Sequence, residues 1–433
     1  MFSFFERLTE PFPQESAQQP PKKLLAFLNF YTKGMWKVIL ASSILSAFVA
    51  ILEVSLFGFM GQLVDWFAER DPATFVQEER NSLILMGLLV LIVIPLVVLV
   101  ESAITHQSVM GNYPMRVRWL AHKYLLGQSL SFYQDEFAGR VATKVMQTAL
   151  SVRETVYKVL NLAVYISVYF ISVVVLVFST DWRLAMPLVV WLVVYILILR
   201  SLLPRLKRVS QKQADARSLM TGRIVDSYTN IMTVKLFSHH SREETYAREG
   251  MEKFLHTVYP QMRLVTVLQG CVWFSNSLLV FSISALSIYL WTNGIVTPGD
   301  IAIAISLSLR INGMSQWIMW EVSSLFENIG TVQDGIDTLA VPATVTDADN
   351  ASRLVVKGGE IAFNQVNFAY KTRSNADIKV FDGLDLTIKA GEKVGLVGRS
   401  GAGKSTLVNL LLRFYDIDSG QIVIDDQIVR QVS

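Results

Sequence analysis

The stretch "SLILMGLLVLIVIPLVVLVESAI", Ser82 to Ile104, is too long and too apolar to serve a water-soluble core. A helix needs about 20 predominantly apolar residues to cross a bilayer, and this run supplies them. Pro95 inside it is expected to kink the helix rather than end it. Further spans are expected from Val38 to Val64, Tyr157 to Ser179, Leu184 to Leu203, Leu264 to Trp291 and Ile301 to Leu325. The last is the weakest, because Arg310, Asn312 and Glu321 interrupt it. Composition agrees: 52% of the chain is hydrophobic and 17% charged, against about 25% charged in ordinary soluble domains.

Charge sorts the connecting loops. Arg7, Lys22, Lys23, Lys33 and Lys37 precede the first span. The next loop is dominated by Asp65, Glu69, Asp71, Glu78 and Glu79. His106 to Val156 is basic again, with Arg116, Arg118, Lys123, Arg140, Lys144 and Arg153, as is Pro204 to Arg263. Lys and Arg collect on the cytoplasmic side, so alternate loops face inward. Both termini are then cytoplasmic, in a multi-pass cell (inner) membrane protein. "ADARSLMTGRIVDSYTNIMTVKLF" and "YPMRVRWLAHKYLLGQSLSFYQ" keep three- and four-residue apolar steps. The membrane helices are therefore expected to continue into the cytoplasm before turning. "KKLLAFLNFYTKGMWK" is expected to lie along the membrane surface.

Other chemistries are poorly supported. A net charge of +3 with no dense basic run argues against nucleic acid. Cys271 is the single cysteine, so no disulfide framework or cysteine metal site is available. The adjacent pair His239-His240 sits among charged residues and reads as surface. The N-terminus lacks the basic-then-apolar order of a cleaved signal peptide.

From about Asp337 the composition changes to a small, polar linker and then to short β-like runs: "GEIAFNQVNFAY", "KVFDGLDLTIKA", "EKVGLVG" and "GQIVIDD". Between the third and fourth stands "GRSGAGKSTLVNLLLRFY". Its G-x-x-x-x-G-K-[ST] spacing, after an expected strand and opening a helix, is that of a phosphate-binding loop. Gly398, Gly401 and Gly403 let the backbone approach a phosphate closely. Arg399, Ser400, Ala402, Lys404, Ser405 and Thr406 contribute backbone N–H groups, reinforced by the helix dipole. Lys404 supplies a point charge to the β- and γ-phosphates of ATP, and Ser405 a hydroxyl to Mg²⁺.

These features together resemble an ATP-binding cassette exporter of the half-transporter type, a membrane domain fused ahead of a nucleotide-binding domain. The expected fold is a mainly α six-helix membrane bundle followed by a partial α/β P-loop domain. "FYQDEFAGRVATKV" and "GRIVDSYTNIMTVKLFSHHSREETY" are similar to the family's two inward loops, whose tips form coupling helices. The resemblance divides the chain into an N-terminal tail (1–21), a transmembrane domain (22–336), a linker (337–358) and a partial nucleotide-binding domain (359–433). It gives Tyr370 the aromatic position that stacks on adenine. It also implies a second half-transporter, identical or not, together with membrane lipids and a transported substrate.

In "IDDQ", Asp426 stands where the family commonly has a turn glycine, and a left-handed aspartate is tolerable there. The family's glutamine loop, Ser/Gly-rich signature, Asp-Glu pair and switch histidine cannot be placed before Ser433. The chain thus reads as an incomplete gene product that holds no hydrolytic residues of its own. The leading function is ATP-driven export of a lipid, drug or peptide-like compound. A non-hydrolysing subunit that binds ATP beside a catalytic partner is the alternative, and an ATP-responsive membrane regulator a third.

Inside the spans, Glu53 and Arg310 each lie roughly 14–17 Å from the outer boundary at 1.5 Å per helical residue. Similar depth suggests that they face a common cavity, pairing there or holding a polar cargo headgroup.

Overall fold

A 34-residue helix, Trp36–Glu69, forms where the first apolar run was expected, and sets the pattern for the chain. In this computed structural model residues 2–135, 138–237, 240–348, 351–370 and 378–432 are described. His239, with Glu136 and Phe137 of the first inward loop, lies outside the described residues. Contacts divide the chain into two compact units.

The first unit comprises 1–9, 34–112 and 151–330. After α1 (Phe2–Glu6) and α2 (Leu24–Thr32), the long helices are α3 (Trp36–Glu69), α4 (Arg80–Leu126), α5 (Val141–Thr180), α6 (Trp182–Thr229), α7 (His240–Thr292) and α8 (Pro298–Leu339). Among the described residues five helices are long and apolar enough to cross a membrane, α3 to α7. The sixth, α8, is a continuous helix of 42 residues whose polar interruptions dilute its apolar character. α4 turns bulky apolar side chains outward, with Leu85 62% and Leu91 76% exposed. Such a surface suits lipid rather than water.

The bundle core is built from α3, α5, α6, α7 and α8, with Val54, Tyr169, Val173, Leu188, Val272, Ile283 and Leu307 buried. A polar cluster crosses this core. Trp191 Nε1 donates to Asn276 Oδ1 at 2.9 Å, and Asn276 Nδ2 donates to Asn312 at 2.8 Å and to Ser315 at 2.7 Å. Buried polar groups need such partners, so the cluster fixes how α6, α7 and α8 meet. α3 and α8 approach backbone to backbone where Gly61 faces Gly299: a Cβ on Gly299 would lie 2.2 Å from the Gly61 carbonyl oxygen. Asp65 then accepts the Gly299 N–H at 2.7 Å and the Thr297 hydroxyl at 2.9 Å, tying down the start of α8.

Pro95 is accommodated without a break. A π-helical turn, Leu89–Val93, precedes it and the helix resumes at Ile94. Widening the turn removes the clash a proline ring makes with the preceding carbonyls. Two more π turns, Ile104–Met110 and Lys158–Leu162, interrupt α4 and α5.

The second unit comprises 10–33, 113–150 and 331–433. α2 is anchored rather than merely lying on a surface: Phe27 and Tyr31 are fully buried, whereas Leu25 is 80% exposed. The segment before α2 runs along the continuation of α4. Buried Arg116 pairs with Glu15 at 3.0 Å and donates to the Glu10 carbonyl, and Trp119 Nε1 donates to the Pro13 carbonyl. Gly335 of α8 lies so near Thr148 that a Cβ there would sit 2.1 Å from its hydroxyl.

This unit also holds an antiparallel sheet of order β2-β1-β3-β4: β1 (Ile361–Tyr370), β2 (Ile378–Ile388), β3 (Ser419–Ile424) and β4 (Gln427–Ile428). Phe363, Val366 and Phe368 of β1 pack on Leu407 and Leu410 of α9 (Lys404–Leu411) and on Ile422 of β3. One expectation is corrected here. "EKVGLVG" is not a strand: Val394, Leu396 and Val397 are 43%, 42% and 96% exposed. A strand needs a neighbour for its backbone groups, and no described strand lies beside this one.

Candidate functional site

The loop from Gly398 to Lys404 bends because its glycines adopt conformations that other residues resist. Gly401 and Gly403 have φ of +86° and +84°. At Gly403 space is also short, since a Cβ would meet the Phe381 ring and Val380 at 3.0 Å. The chain then enters α9 with Gly403 as its N-cap. The first α9 amide to bond back is that of Leu407, onto the Gly403 carbonyl at 2.9 Å. Among the described residues no backbone carbonyl takes the N–H groups of Lys404, Ser405 and Thr406. These orphan donors and the helix dipole favour an anion at this end. Lys404 Nζ folds over the loop and donates to the carbonyls of Gly398 (2.7 Å) and Arg399 (3.0 Å), which holds its charge against the cradle.

The other expected residues divide by exposure. Arg399, Ser400, Ala402 and Ser405 are exposed. Thr406 is buried, so it offers its N–H but not its side chain. Its hydroxyl lies 3.2 Å from the hydroxyl of Tyr370, which brings the end of β1 to the start of α9. The Tyr370 ring meets Phe368 and Tyr415 edge to face at 4.9 and 5.2 Å. The loop, its lysine and its free amides fit a nucleotide's phosphates. Ser405 is a single hydroxyl, and among the described residues no three His, Cys, Asp or Glu side chains assemble for a metal. A Mg²⁺ ion here would draw its other ligands from phosphate and water.

The turn after β3 has Asp425 and Asp426 at φ +45° and +61°, both left-handed, as a tight hairpin turn requires. Asp425 does more than turn the chain. Its carboxylate accepts the N–H groups of Lys357, Gly358, Gly359 and Glu360 at 2.6 to 2.9 Å. Those bonds hold its carboxyl well below the usual carboxylate range, the Gly359 amide contributing most. Local pattern singles out only Asp426, because the partners of Asp425 are distant in the chain.

In the membrane unit, Arg310 and Glu53 do meet, at 3.2 Å, and the Tyr165 hydroxyl donates to the same Glu53 oxygen at 3.0 Å. Glu53 and Tyr165 line a cavity of about 440 Å³. Another carboxylate of this cavity, Glu101 of α4, was not among the residues expected from the sequence. The signal was present, since an ionisable residue in so apolar a span marks a functional candidate by default.

A chain with five membrane-length helices and a phosphate cradle at a helix start is a polytopic membrane protein carrying a nucleotide-binding domain. Comparison with known proteins narrows the class. The chain belongs to the ABC transporters: the family model for the ABC transporter transmembrane region matches residues 38–315, and that for the ABC transporter domain matches 381–432. It is 52% identical over 433 residues to the "Uncharacterized ABC transporter ATP-binding protein" of Haemophilus influenzae, covering 100% of this chain and 70% of that one. It is 24% identical to the "ATP-dependent lipid A-core flippase" of Chromobacterium violaceum, over 91% of this chain and 66% of that one. Its fold is similar to "Structure of a bacterial Atm1-family ABC exporter with ATP bound", with a TM-score of 0.75 and 21% identity, over 92% of this chain and 69% of the other.

Proposed function

We propose that the protein is one half of a dimeric exporter that couples ATP at the Gly398–Thr406 loop to movement of a lipid, drug or peptide-like compound out of the cell. The observation that carries this reading is the Lys404 ammonium held over a loop whose following amides have no backbone partner. Gly401, Gly403 and the amides of Lys404 to Thr406 grip the phosphates, Lys404 neutralises them, and Ser405 lends a hydroxyl to Mg²⁺. Tyr370 offers a ring face to the adenine. A nucleotide drives a conformational change only by binding its two states unequally. A partner half-transporter that closes on the nucleotide in one state provides that difference.

In this reading 22–336 is the transmembrane domain, 337–358 the linker and 359–433 part of the nucleotide-binding domain, with 1–21 a tail. The basic loops between His106 and Val156 and between Pro204 and Arg263 face the cytoplasm, as do both termini. Within this chain no hydrolytic residue is assigned. The relative named as a lipid A-core flippase keeps a lipid among the candidate cargoes.

The test is ATP-dependent uptake of labelled amphiphiles into inside-out vesicles from cells with and without the gene. Uptake that requires the gene and ATP, and disappears with Lys404→Ala, supports the reading. Vesicles that behave alike with and without the gene, across lipid, drug and peptide panels, contradict it.

A further inference from the structure

The cavity inside the membrane unit measures about 440 Å³, within the range of small-molecule sites. Four carboxylates reach its wall: Glu53, Glu101, Glu154 and Glu321. Three are matched one to one with cations. Arg310 lies 3.2 Å from Glu53, Lys158 lies 2.8 Å from Glu321, and Arg153 pairs with Glu154.

Glu101 differs. Among the described residues no Lys, Arg or His comes within ion-pair distance of it. Its Oε1 instead accepts the hydroxyls of Thr105 at 3.0 Å, Ser46 at 3.3 Å and Ser42 at 3.4 Å. Asn161, itself buried, braces that group by donating to Ser42 at 2.7 Å. Thr105 makes the shortest of these contacts, since the Ser46 hydroxyl also reaches Asn161 Oδ1 at 3.0 Å and the Ser42 hydroxyl reaches Thr105 Oγ1 at 2.9 Å, and none of the described residues bonds to Oε2. Glu101 is half-buried on the cavity wall and is the one of the four carboxylates with no cation beside it among the described residues, so the wall is one positive charge short.

The cavity wall also carries Trp317, Tyr165 and Tyr157. Tyr165 and Trp317 stand edge to face with centroids 6.3 Å apart. Aromatic faces attract organic cations through their quadrupole, and quaternary ammonium groups most characteristically. The π turn at Lys158–Leu162 supplies Lys158, Asn161 and Leu162 to the wall, and such turns recur at functional sites. A bare metal ion is a poor fit, because among the described residues no metal-binding group of three or more ligands exists.

We propose that this cavity is the cargo site and that its cargo is an organic monocation, a substituted ammonium with an apolar body, whose charge is met by Glu101. The proposal rests on the exporter reading and specifies its substrate class. An anionic headgroup would face the uncompensated carboxylate and be repelled.

The experiment is equilibrium dialysis of the full chain in phosphatidylcholine nanodiscs against radiolabelled benzyltrimethylammonium and its uncharged carbon analogue, neopentylbenzene. Labelled ATP retention is measured on the same samples. The cation is expected to bind the wild type, and Glu101→Gln to weaken it at least about tenfold while neopentylbenzene binds both alike. Glu101→Asp should recover part of the loss. Trp317→Leu, away from the Glu101 hydrogen bonds, should also weaken the cation selectively and provides an independent variant should Glu101→Gln fold poorly. Equal retention of cation and analogue by the wild type overturns the proposal, as does cation binding unmoved by Glu101→Gln in a folded sample. Lost cation selectivity with intact ATP retention sinks the cargo assignment alone. Intact selectivity without ATP retention leaves the cavity standing and sinks the exporter reading.

Discussion

Arg310 of α8 and Glu53 of α3 form an ion pair at 3.2 Å although 257 positions separate them. Their matched depth was readable from helical rise, but the pair also shares Tyr165. Arg310→Met leaves Glu53 with a hydroxyl alone, and should lower the melting temperature of the detergent-solubilised protein. Adding Glu53→Gln should restore part of the loss. A coupling of about 1 kcal/mol is expected for a partly solvated pair, and strictly additive single effects would show that the pair contributes nothing.

Gly61 and Gly299 set how closely α3 and α8 approach. Gly299→Ala forces a methyl to within 2.2 Å of a carbonyl oxygen and 2.4 Å of the Asp65 carboxylate. The expected loss is about 1–3 kcal/mol. Gly313, on the same helix with nothing within 4 Å, is the control. Gly313→Ala should leave thermal unfolding unchanged or raise its midpoint, because alanine is the better helix former.

Asp425 makes one turn sensitive to acid. Its folded carboxyl titrates below its unfolded value, so the stabilisation is present above the ordinary aspartate range, about pH 4, and is lost as pH falls through the folded value. Hydrogen exchange at the amides of Lys357 to Glu360 should therefore accelerate in acid beyond its intrinsic pH dependence. In Asp425→Asn that excess should vanish, with exchange fast at every pH.

Asp426 holds φ at +61°. Asp426→Gly should stabilise the hairpin by up to about 1 kcal/mol, and Asp426→Val should destabilise it by more, because a β-branched residue strains there. Proteolytic protection of the β3–β4 segment is the measurement.

Tyr370 separates two contributions. Tyr370→Phe removes the hydroxyl contact with Thr406, costing about 0.5–1.5 kcal/mol of stability, while a ring remains for adenine. Tyr370→Ala should in addition weaken ATP binding by about 1–3 kcal/mol. Equal ATP affinity in all three proteins would remove Tyr370 from the nucleotide site.

What the sequence revealed follows the range of the interactions involved. α6 and α7 were legible because an apolar run passes directly into three- and four-residue periodicity, a local signal that extends each helix to 48 and 53 residues. The phosphate loop was legible because its glycines and lysine act on their own neighbours. Lys393 to Val397 carries a strand's composition yet stays unpaired, since pairing depends on a distant neighbour that local pattern cannot supply. Glu101 stands out by charge in an apolar span, but what it meets was not legible, because Ser42 and Ser46 come from another helix, α3.

Equilibrium binding of radiolabelled ATP to the purified chain, alone and as Lys404→Ala, bears most directly on the central claim. The wild type should bind saturably, and loss of the lysine charge should weaken binding by about 10- to 100-fold. Saturable binding of equal affinity by both proteins, or none by the folded wild type, would contradict the assignment of the loop as the grip that powers transport.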